Sequence, residues 1–394
     1  MKWEYKTLDQ LGTVSRGKSK HRPRNDPKLF GGKYPFIQTA DVKNADYYIT
    51  KYSDTYNESG LAQSKLWDEG TLCITIAANI ADTGVLAFPA CFPDSIMGFV
   101  PFEGVANTRF IKYCFDRLQR DCKQISQGTA QDNLSWEKLS TIKFCIPEYK
   151  EQCRIADILS AYDDLIENNQ KQIKLLEEAA QRLYKEWFVD LRFPGHENTK
   201  IVDGVPEGWR KSTVGNICKL RKVVITPDKI ESNTPYIGLE HMPRNDICLS
   251  TWGKSEEINS NKFIYLKKDV LFGKIRPYFH KVGFALNDGI TSTDTMVMVA
   301  GQNLWGLLLV TVSSDAFVDF SYQNCKEGAK MPRADWKQME KYAIMIADQA
   351  TQKLFEQEIL VITNKISALA FQCRSLREAR DRMLPKLMGG EVEV

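Results

Sequence analysis

An internal repeat with a spacing of about 200 residues constrains the fold of this chain more than any other feature. The triplet Pro-Phe-Ile at 35–37 returns as Pro-Tyr-Ile at 235–237, and Trp136 returns as Trp336. Long-period repeats are typical of duplicated structural units. The chain of 394 residues is therefore expected to contain two copies of one unit, related by pseudo-twofold symmetry.

Each copy ends in a helical pattern. From Ile155 and Leu159 every seventh residue is mostly apolar, and the same two rows begin at Phe355 and Ile359 in the second copy. Such stripes are typical of long amphipathic helices, which bury them by pairing in a coiled-coil-like manner. The alternative is that each helix covers its own domain. The residues predicted to form the helix-pair interface are Ile155, Leu159, Tyr162, Ile166, Ile173, Leu176, Leu183, Phe355, Ile359, Ile362, Ile366, Leu369, Leu376 and Met383.

The two segments that precede these helices have a different pattern, with short β-type runs broken by Gly, Pro, Asn and Asp. This pattern indicates heads of mixed α/β (α+β) structure. The predicted organisation is a first head at 1–150, a long helix at 151–190, a linker at 191–208, a second head at 209–350 and a long helix at 351–388.

Composition excludes several classes of protein. The chain has no apolar stretch behind a basic leader, and its longest apolar run, Leu304–Val312, is shorter than the ~20 residues of a membrane-spanning helix. We therefore expect a cytoplasmic protein without membrane contact. Its ten cysteines include no Cys-x-x-Cys pair, and there are only four histidines, so we expect no metal site.

An enzymatic function is not expected. The sequence has neither the Phe-x-Gly-x-Gly nor the Asn/Asp-Pro-Pro-aromatic signature of adenine methyltransferases, and no Gly-x-Ser-x-Gly hydrolase elbow. We also expect no ATP-binding loop and no catalytic residues. The competing interpretation is a nuclease that uses Glu148-Tyr149-Lys150 with Pro93-Asp94 at a metal site.

The densest basic segment of the sequence lies at 15–24 and reads SRGKSKHRPR. Lys and Arg on a flexible segment suit contacts with DNA phosphates, and Arg can also read guanine edges. The alternative is a solvated basic loop. The DNA-binding candidates in this segment are Arg16, Lys18, Lys20, Arg22 and Arg24.

Two further segments provide DNA-binding candidates. The stretch GTAQ at 128–131 contains Thr129 and Gln131, and the matching GAKMPR of the second copy contains Lys330 and Arg333. Small residues allow the backbone to approach phosphate, and glutamine can pair with adenine. The alternative is a simple turn.

In the second head, the stretch GKIRPYFHKVG at 273–283 contains Lys274, Arg276 and Lys281 among aromatic residues, a mixture that suits nucleic-acid surfaces. Tyr278 and Phe279 could equally belong to the core. The corresponding stretch of the first copy, TIAANIADTG, is neutral to acidic. This difference fits two heads that read different sequences, and it also fits ordinary drift.

The order of several motifs resembles the specificity subunits of type I restriction–modification enzymes along essentially the whole chain. The motifs are KWEYKTLDQLG at the start, PFIQTADV, QGTAQDNLSWEKLSTIKFCIP before the first long helix, EWFVDLRFPG after it, and VPEGWRKSTVGNI at the start of the second copy. The resemblance implies two target-recognition domains, each reading one half of a bipartite DNA site. It also implies that the two long helices form an antiparallel spacer.

The same resemblance implies the partners of the chain. These are double-stranded DNA, two methyltransferase subunits and the restriction subunits that translocate DNA, with S-adenosylmethionine, ATP and Mg²⁺ bound by the partner subunits. The chain itself would be non-catalytic. A helix of some 35 residues spans ~50 Å, which corresponds to roughly 15 base pairs. The alternatives are a solitary or silent specificity subunit, or a helical scaffold whose heads bind protein.

Overall fold

The computed structural model describes residues 3–76, 82–125, 136–256, 258–325 and 331–394. The chain forms two compact units. Unit 1 contains Met1–Ile166 together with Ser375–Val394, and unit 2 contains Glu167–Arg374.

Unit 1 contains eleven of the strands that the structure describes. Its strands are β1 (Glu4–Lys6), β2 (Gly12–Arg16), β3 (Phe30–Phe36), β4 (Tyr48–Ile49), β5 (Asp54–Tyr56), β6 (Leu66–Trp67), β7 (Leu72–Thr75), β8 (Thr83–Leu86), β9 (Ala90–Cys91), β10 (Ile96–Pro101) and β11 (Phe144–Ile146). The helices that begin in unit 1 are α1 (Leu8–Leu11), α2 (Thr39–Lys43), α3 (Glu58–Ala62), α4 (Thr108–Ile125), α5 (Trp136–Thr141) and α6 (Tyr149–Tyr184).

The strands of unit 1 form a five-stranded sheet in the order β2-β10-β7-β8-β4, a four-stranded sheet β5-β3-β9-β6 and the pair β1-β11. In the five-stranded sheet all pairs are antiparallel except β4 with β8. Helix α4 packs on this sheet, and its Phe110 and Phe115 are completely buried.

Unit 2 repeats this arrangement. Its strands are β12 (Ile201–Val202), β13 (Val205–Pro206), β14 (Arg210–Thr213), β15 (Cys218–Arg221), β16 (Val224–Ile225), β17 (Tyr236–Ile237), β18 (Cys248–Leu249), β19 (Lys262–Tyr265), β20 (Val270–Gly273), β21 (Val282–Ala285), β22 (Gly289–Thr291), β23 (Thr295–Ala300) and β24 (Ala343–Ile346). Its helices are α7 (Val214–Ile217), α8 (Trp305–Val312), α9 (Asp315–Gln323), α10 (Trp336–Met339) and α11 (Gln349–Met388).

The five-stranded sheet of unit 2 has the order β15-β23-β20-β21-β18, again antiparallel except for its last pair, β18 with β21. The pair β14-β24 corresponds to β1-β11 of unit 1. The four-stranded sheets differ at one edge. In unit 1 the extra strand β5 lies beside β3, whereas in unit 2 the extra strand β16 lies beside β19.

The two long helices α6 and α11 each contribute to both units. Helix α6 ends in a π-helical turn, Lys185–Val189, that buries Trp187 and Phe188. Helix α11 begins at a cap, because the Asp348 carboxylate accepts hydrogen bonds from the backbone N–H groups of Ala350 and Thr351 at 2.9 and 3.1 Å.

Candidate nucleic-acid interface

In unit 1 the predicted basic segment leaves the end of β2 in an extended conformation. The side chains of Arg16, Lys18 and Lys20 are exposed, while Gly17 and Ser19 between them are buried. Side chains of extended backbone point alternately to opposite faces, so the three cations share one solvent-facing side. Gly17 is required by close packing, because a Cβ atom there would lie 2.2 Å from the carbonyl oxygen of Phe92.

The other two candidates of this segment have protein partners. The Arg22 guanidinium donates hydrogen bonds to the carbonyl oxygens of Ser19 and His21 at 2.6 and 2.8 Å. Arg24 forms an ion pair with Asp94 at 2.8 Å. Both side chains are exposed but help to shape the loop. Arg24 also lines a cavity of about 380 Å³.

Residues 12–19 read GTVSRGKS and match the spacing Gly-x₄-Gly-Lys-Ser of a phosphate-binding loop, a match that our sequence analysis missed. A loop of that kind lies between a strand and the helix that follows it at once. Here the first five of these residues form strand β2 itself, and the chain remains non-helical until the short 3₁₀ turn Pro27–Leu29. The backbone therefore does not form the phosphate cradle.

In unit 2 the structure brings Lys274 and Arg333 together. Residues 275 and 333 form a β-bridge, and Arg333 forms an ion pair with Asp294 at 3.2 Å. Lys274 donates a hydrogen bond to the carbonyl oxygen of Thr293 at 2.6 Å. Burial, assisted by the positive charges of Arg333 and Lys222, lowers the pKa of Lys274. Lys274 is thus half-buried and hydrogen-bonded within the protein, whereas the side chain of Arg333 is exposed.

Of the remaining candidates of unit 2, Arg276 lies beside an aromatic ring together with Arg244, and Lys281 lies near Arg244. The guanidinium carbons of Arg244 and Arg276 lie 4.0 and 5.7 Å from the centroid of Phe279. Lys281 donates a hydrogen bond to the carbonyl oxygen of Leu239, and burial, together with the charge of Arg244, lowers its pKa. Sequence analysis missed Arg244, because it stands alone among uncharged and acidic neighbours and is brought to this loop by the fold.

Three candidates, Thr129, Gln131 and Lys330, lie outside the described residues.

Inside unit 2, helices α6 and α11 run antiparallel. The Asn169 amide donates a hydrogen bond to Gln372 Oε1 at 3.1 Å. Further along α6, at the π-helical turn, the ring centroids of Trp187 and Phe188 lie 5.5 and 4.8 Å from that of Phe355. The buried cluster that contains these rings also includes side chains from the head. The helices therefore pair with each other and cover the head at the same time.

Inside unit 1 the same two helices contact through a polar network. Buried Asp163 of α6 pairs with Arg380 of α11 and accepts a hydrogen bond from the Tyr113 hydroxyl at 2.6 Å. Burial opposes the charge of Arg380, but the carboxylates of Asp163 and Asp381 outweigh it and raise the pKa of the guanidinium. Apolar residues surround the network, with Leu159 and Leu384 both buried.

The residues predicted for the helix-pair interface are distributed over both units. Those in the buried clusters or packed against them are Ile155, Leu159, Ile173, Leu176, Leu183, Phe355, Ile359, Ile362, Ile366 and Met383. Ile166 and Leu369 are also buried, while Tyr162 and Leu376 are half-buried.

Within the part of the chain that the structure describes, no group of three or more His, Cys, Asp or Glu residues is arranged to hold a metal ion. None of the helices in the same part has the length and apolar character needed to span a bilayer.

Comparison with known proteins identifies the family resemblance. Residues 1–178 match the family model described as the type I restriction modification DNA specificity domain. The chain is 25% identical to the type I restriction enzyme MjaIX specificity subunit of Methanocaldococcus jannaschii, an alignment that covers 100% of this chain and 94% of the relative. It is 28% identical over 195 residues to the MjaVIII specificity subunit of the same organism, which covers 49% of this chain and 39% of that relative.

A crystal structure of the type I restriction–modification system S subunit from M. genitalium has the same fold. The TM-score is 0.58 at 15% sequence identity, and the match covers 98% of this chain and 96% of that one. The predicted resemblance and the mixed α/β fold class are thus confirmed. The relatives matched here are named as specificity subunits.

Proposed function

We propose that this chain, which is similar to the type I restriction enzyme specificity subunits, reads a bipartite DNA sequence, with one half-site for each recognition domain. One observation supports this most directly. Both units contain a five-stranded sheet of the same strand order. The segment that follows the first strand of that sheet nevertheless differs, being an exposed basic segment after β2 and strand β16 after β15. A shared scaffold with different exposed side chains suits two readers of different sequences.

The chemistry belongs to partner subunits in this proposal. Two methyltransferase subunits bind along the helix pair, supply S-adenosylmethionine and methylate adenine, which must leave the base stack for that reaction. Restriction subunits, with ATP and Mg²⁺, complete the enzyme in the cytoplasm. The chain itself contributes sequence recognition and binds no cofactor.

The length of the helices supports a spacing role. Helix α6 has 36 residues and spans ~54 Å at about 1.5 Å per residue. At about 3.4 Å per base pair this equals roughly 16 base pairs, enough for two short half-sites and an unread gap.

The decisive experiment is to co-express the chain with its methyltransferase subunit and map adenine methylation across the host genome. We expect one bipartite motif with a fixed gap that is present only when this chain is present. Substituting Arg333→Ala should weaken methylation of one half-site motif, and Arg16→Ala should affect the other, because the two residues lie in different units.

The absence of methylation from a stable complex would contradict this proposal. A chain that still binds DNA would then be a silent specificity subunit, and one that does not would be a scaffold whose heads bind protein. DNA selection on the purified complex distinguishes these two outcomes.

A further inference from the structure

The loop that follows β20 in unit 2 holds a tyrosine ring in solvent. Tyr278 is 46% exposed, and its ring lies edge-on against that of Tyr322, which is also 46% exposed, with 5.2 Å between the ring centroids. We refer to Tyr278 and Tyr322 as the tyrosine pair. Adjacent exposed aromatic rings form an apolar patch of the kind that can mark a binding surface.

The backbone on both sides of Tyr278 is strained. Arg276 and His280 have φ angles of 51°, in the left-handed region that residues other than glycine rarely occupy. Hydrogen bonds hold both ends, since the Arg276 N–H donates to the Pro332 carbonyl at 2.8 Å and His280 Nε2 lies 2.9 Å from the Ser313 carbonyl. Strain of this kind persists where the surrounding structure enforces it, and it clusters at binding sites.

The tyrosine pair continues into a cationic surface. The ring centroids of Tyr278 and Phe279 are 4.9 Å apart, and Phe279 in turn packs against the guanidinium groups of Arg244 and Arg276. In residues 3–76, 82–125, 136–256, 258–325 and 331–394, neither guanidinium forms an ion pair with a carboxylate. An exposed π surface thus lies beside two positive charges that are available to phosphates.

We propose that the tyrosine pair stacks on a DNA base that has lost its neighbour in the duplex, while Arg244 and Arg276 bind the adjoining phosphates. The inference rests on the proposed function and deepens it. Every base has a π face, so stacking of this kind recognises an unstacked base without selecting its identity. Adenine methylation displaces a base from the stack, which leaves such a base within the half-site bound by the second domain.

The sequence that corresponds to this loop in the first copy offers no equivalent pair of rings. The corresponding stretch of the first copy, TIAANIADTG at 75–84, contains no aromatic residue. The second domain would therefore bind DNA with an unstacked base more tightly than the first domain does.

The test measures the affinity of the full-length chain, in complex with its methyltransferase subunits, for two fluorescent duplexes. One duplex is fully paired. The other has the same flanking sequence and a short central run of T·T mismatches. We expect the wild type to bind the mismatched duplex more tightly. Combined Tyr278→Ala and Tyr322→Ala substitutions should weaken that binding by about fivefold or more, the size of one lost base–aromatic stack, and leave the paired duplex unaffected. Tyr278→Phe keeps the ring and should retain the preference.

Tyr52→Ala provides a matched control in unit 1, because Tyr52 is 45% exposed and lies edge-on to Phe88 at 5.3 Å. Binding to the paired duplex without any preference for mismatches, or an equal loss in Tyr52→Ala, would overturn the stacking site and leave the proposed function intact. Failure of the wild-type complex to bind either duplex would reject both. Thermal unfolding of each variant verifies that the fold is retained.

Discussion

The exposed cationic side chains of the basic segment differ in their hydrogen bonds to the protein. This difference separates candidate DNA contacts from residues that stabilise the loop. Lys18 and Lys20 are exposed on one side of an extended chain, whereas Arg22 donates two hydrogen bonds to carbonyl oxygens of its own loop. Lysines of the first kind are free to neutralise phosphates, and each phosphate contact adds about 0.9 to the slope of log affinity against log salt.

We therefore predict that Lys18→Ala with Lys20→Ala weakens DNA binding and lowers the salt slope by about 2, without changing thermal stability. Arg22→Ala should also weaken binding but lower the melting temperature, because it removes the two loop hydrogen bonds. Titrations of the purified complex at several salt concentrations measure the slopes. An unchanged slope in the lysine variant would exclude the basic segment from the DNA-binding surface.

One pair of matched positions, between a long helix and the head, differs in charge between the two units. In unit 1, Arg377 of α11 forms an ion pair with Asp46 of the head at 2.8 Å. The corresponding residues in unit 2 are Glu177 and Asp246, two acids. Glu177 accepts hydrogen bonds from the backbone N–H groups of Ile247 and Cys248, both at 3.0 Å. Burial and the nearby charge of Asp246 raise the pKa of Glu177 to about 8.

This raised pKa predicts that unit 2 loses stability as the pH increases. The folded state holds the proton of Glu177 more tightly than the unfolded state, whose pKa is about 4.5. The stabilisation is therefore complete below about pH 4.5 and disappears as the pH rises through about 8. Glu177→Gln keeps the acceptor oxygen without the charge, so its melting temperature should depend less on pH over this window. Glu358→Gln, at an exposed position of α11 in the same unit, should behave as the wild type, and identical pH profiles for all three proteins would contradict the assignment.

At the scale of elements, the long helices combine apolar stripes with buried polar contacts. Rows of Leu and Ile alone allow two paired helices to shift along each other, whereas polar pairs between the helices fix their register. In unit 1 this pair is buried Asp163 with Arg380, and in unit 2 buried Asn169 bonds to Gln372, whose side chain is exposed. The periodicity thus drives pairing, and these contacts set the register.

The spacing role makes a prediction about helix length. Deleting 168–174 from α6 together with 368–374 from α11, segments that face each other around the Asn169–Gln372 contact, shortens the pair by about 10 Å. We expect the gap between half-sites to shrink by roughly 3 base pairs, as read from methylation mapping. Deletion from α6 alone should abolish assembly, because the shortened α6 no longer matches the length of α11. An unchanged gap after the paired deletion would refute the spacer.

At the scale of the whole molecule, the last segment of the chain completes the first unit. Leu384, Leu387 and Met388 are buried in the cluster that contains Ile155 and Phe110. Burying three such side chains contributes on the order of 5 kcal/mol, which is comparable to the net stability of a domain. The core of unit 1 is therefore completed by residues that lie more than 200 positions beyond its first segment, Met1–Ile166, in sequence.

Removal of Ser375–Val394 is predicted to destabilise unit 1 while unit 2 remains folded. Hydrogen exchange should show lost protection in α4 and in the first half of α6, with β20 and β21 still protected. Lys386→Ala, an exposed substitution in the removed segment, should change neither unit. Full protection of α4 in the truncated chain would show that unit 1 does not depend on this segment.

Periodicity, the repeat and local charge were sufficient to predict the two long helices, the duplicated mixed α/β heads and the exposed basic segment. These features depend on neighbours three, four or seven residues away or on composition, which the sequence shows directly. The compact units could not be predicted in this way. Each unit combines one head with parts of both helices, since packing joins segments that are distant along the chain.

The same limit applies to the candidate site. Arg244 and Tyr322 have no sequence signal, and they join Tyr278 and Phe279 because the fold brings three separate segments to one loop. The sequence by itself determined which elements form and which cations face water. The tertiary structure alone decided which side chains share a surface, because such contacts depend on packing between residues far apart in the chain.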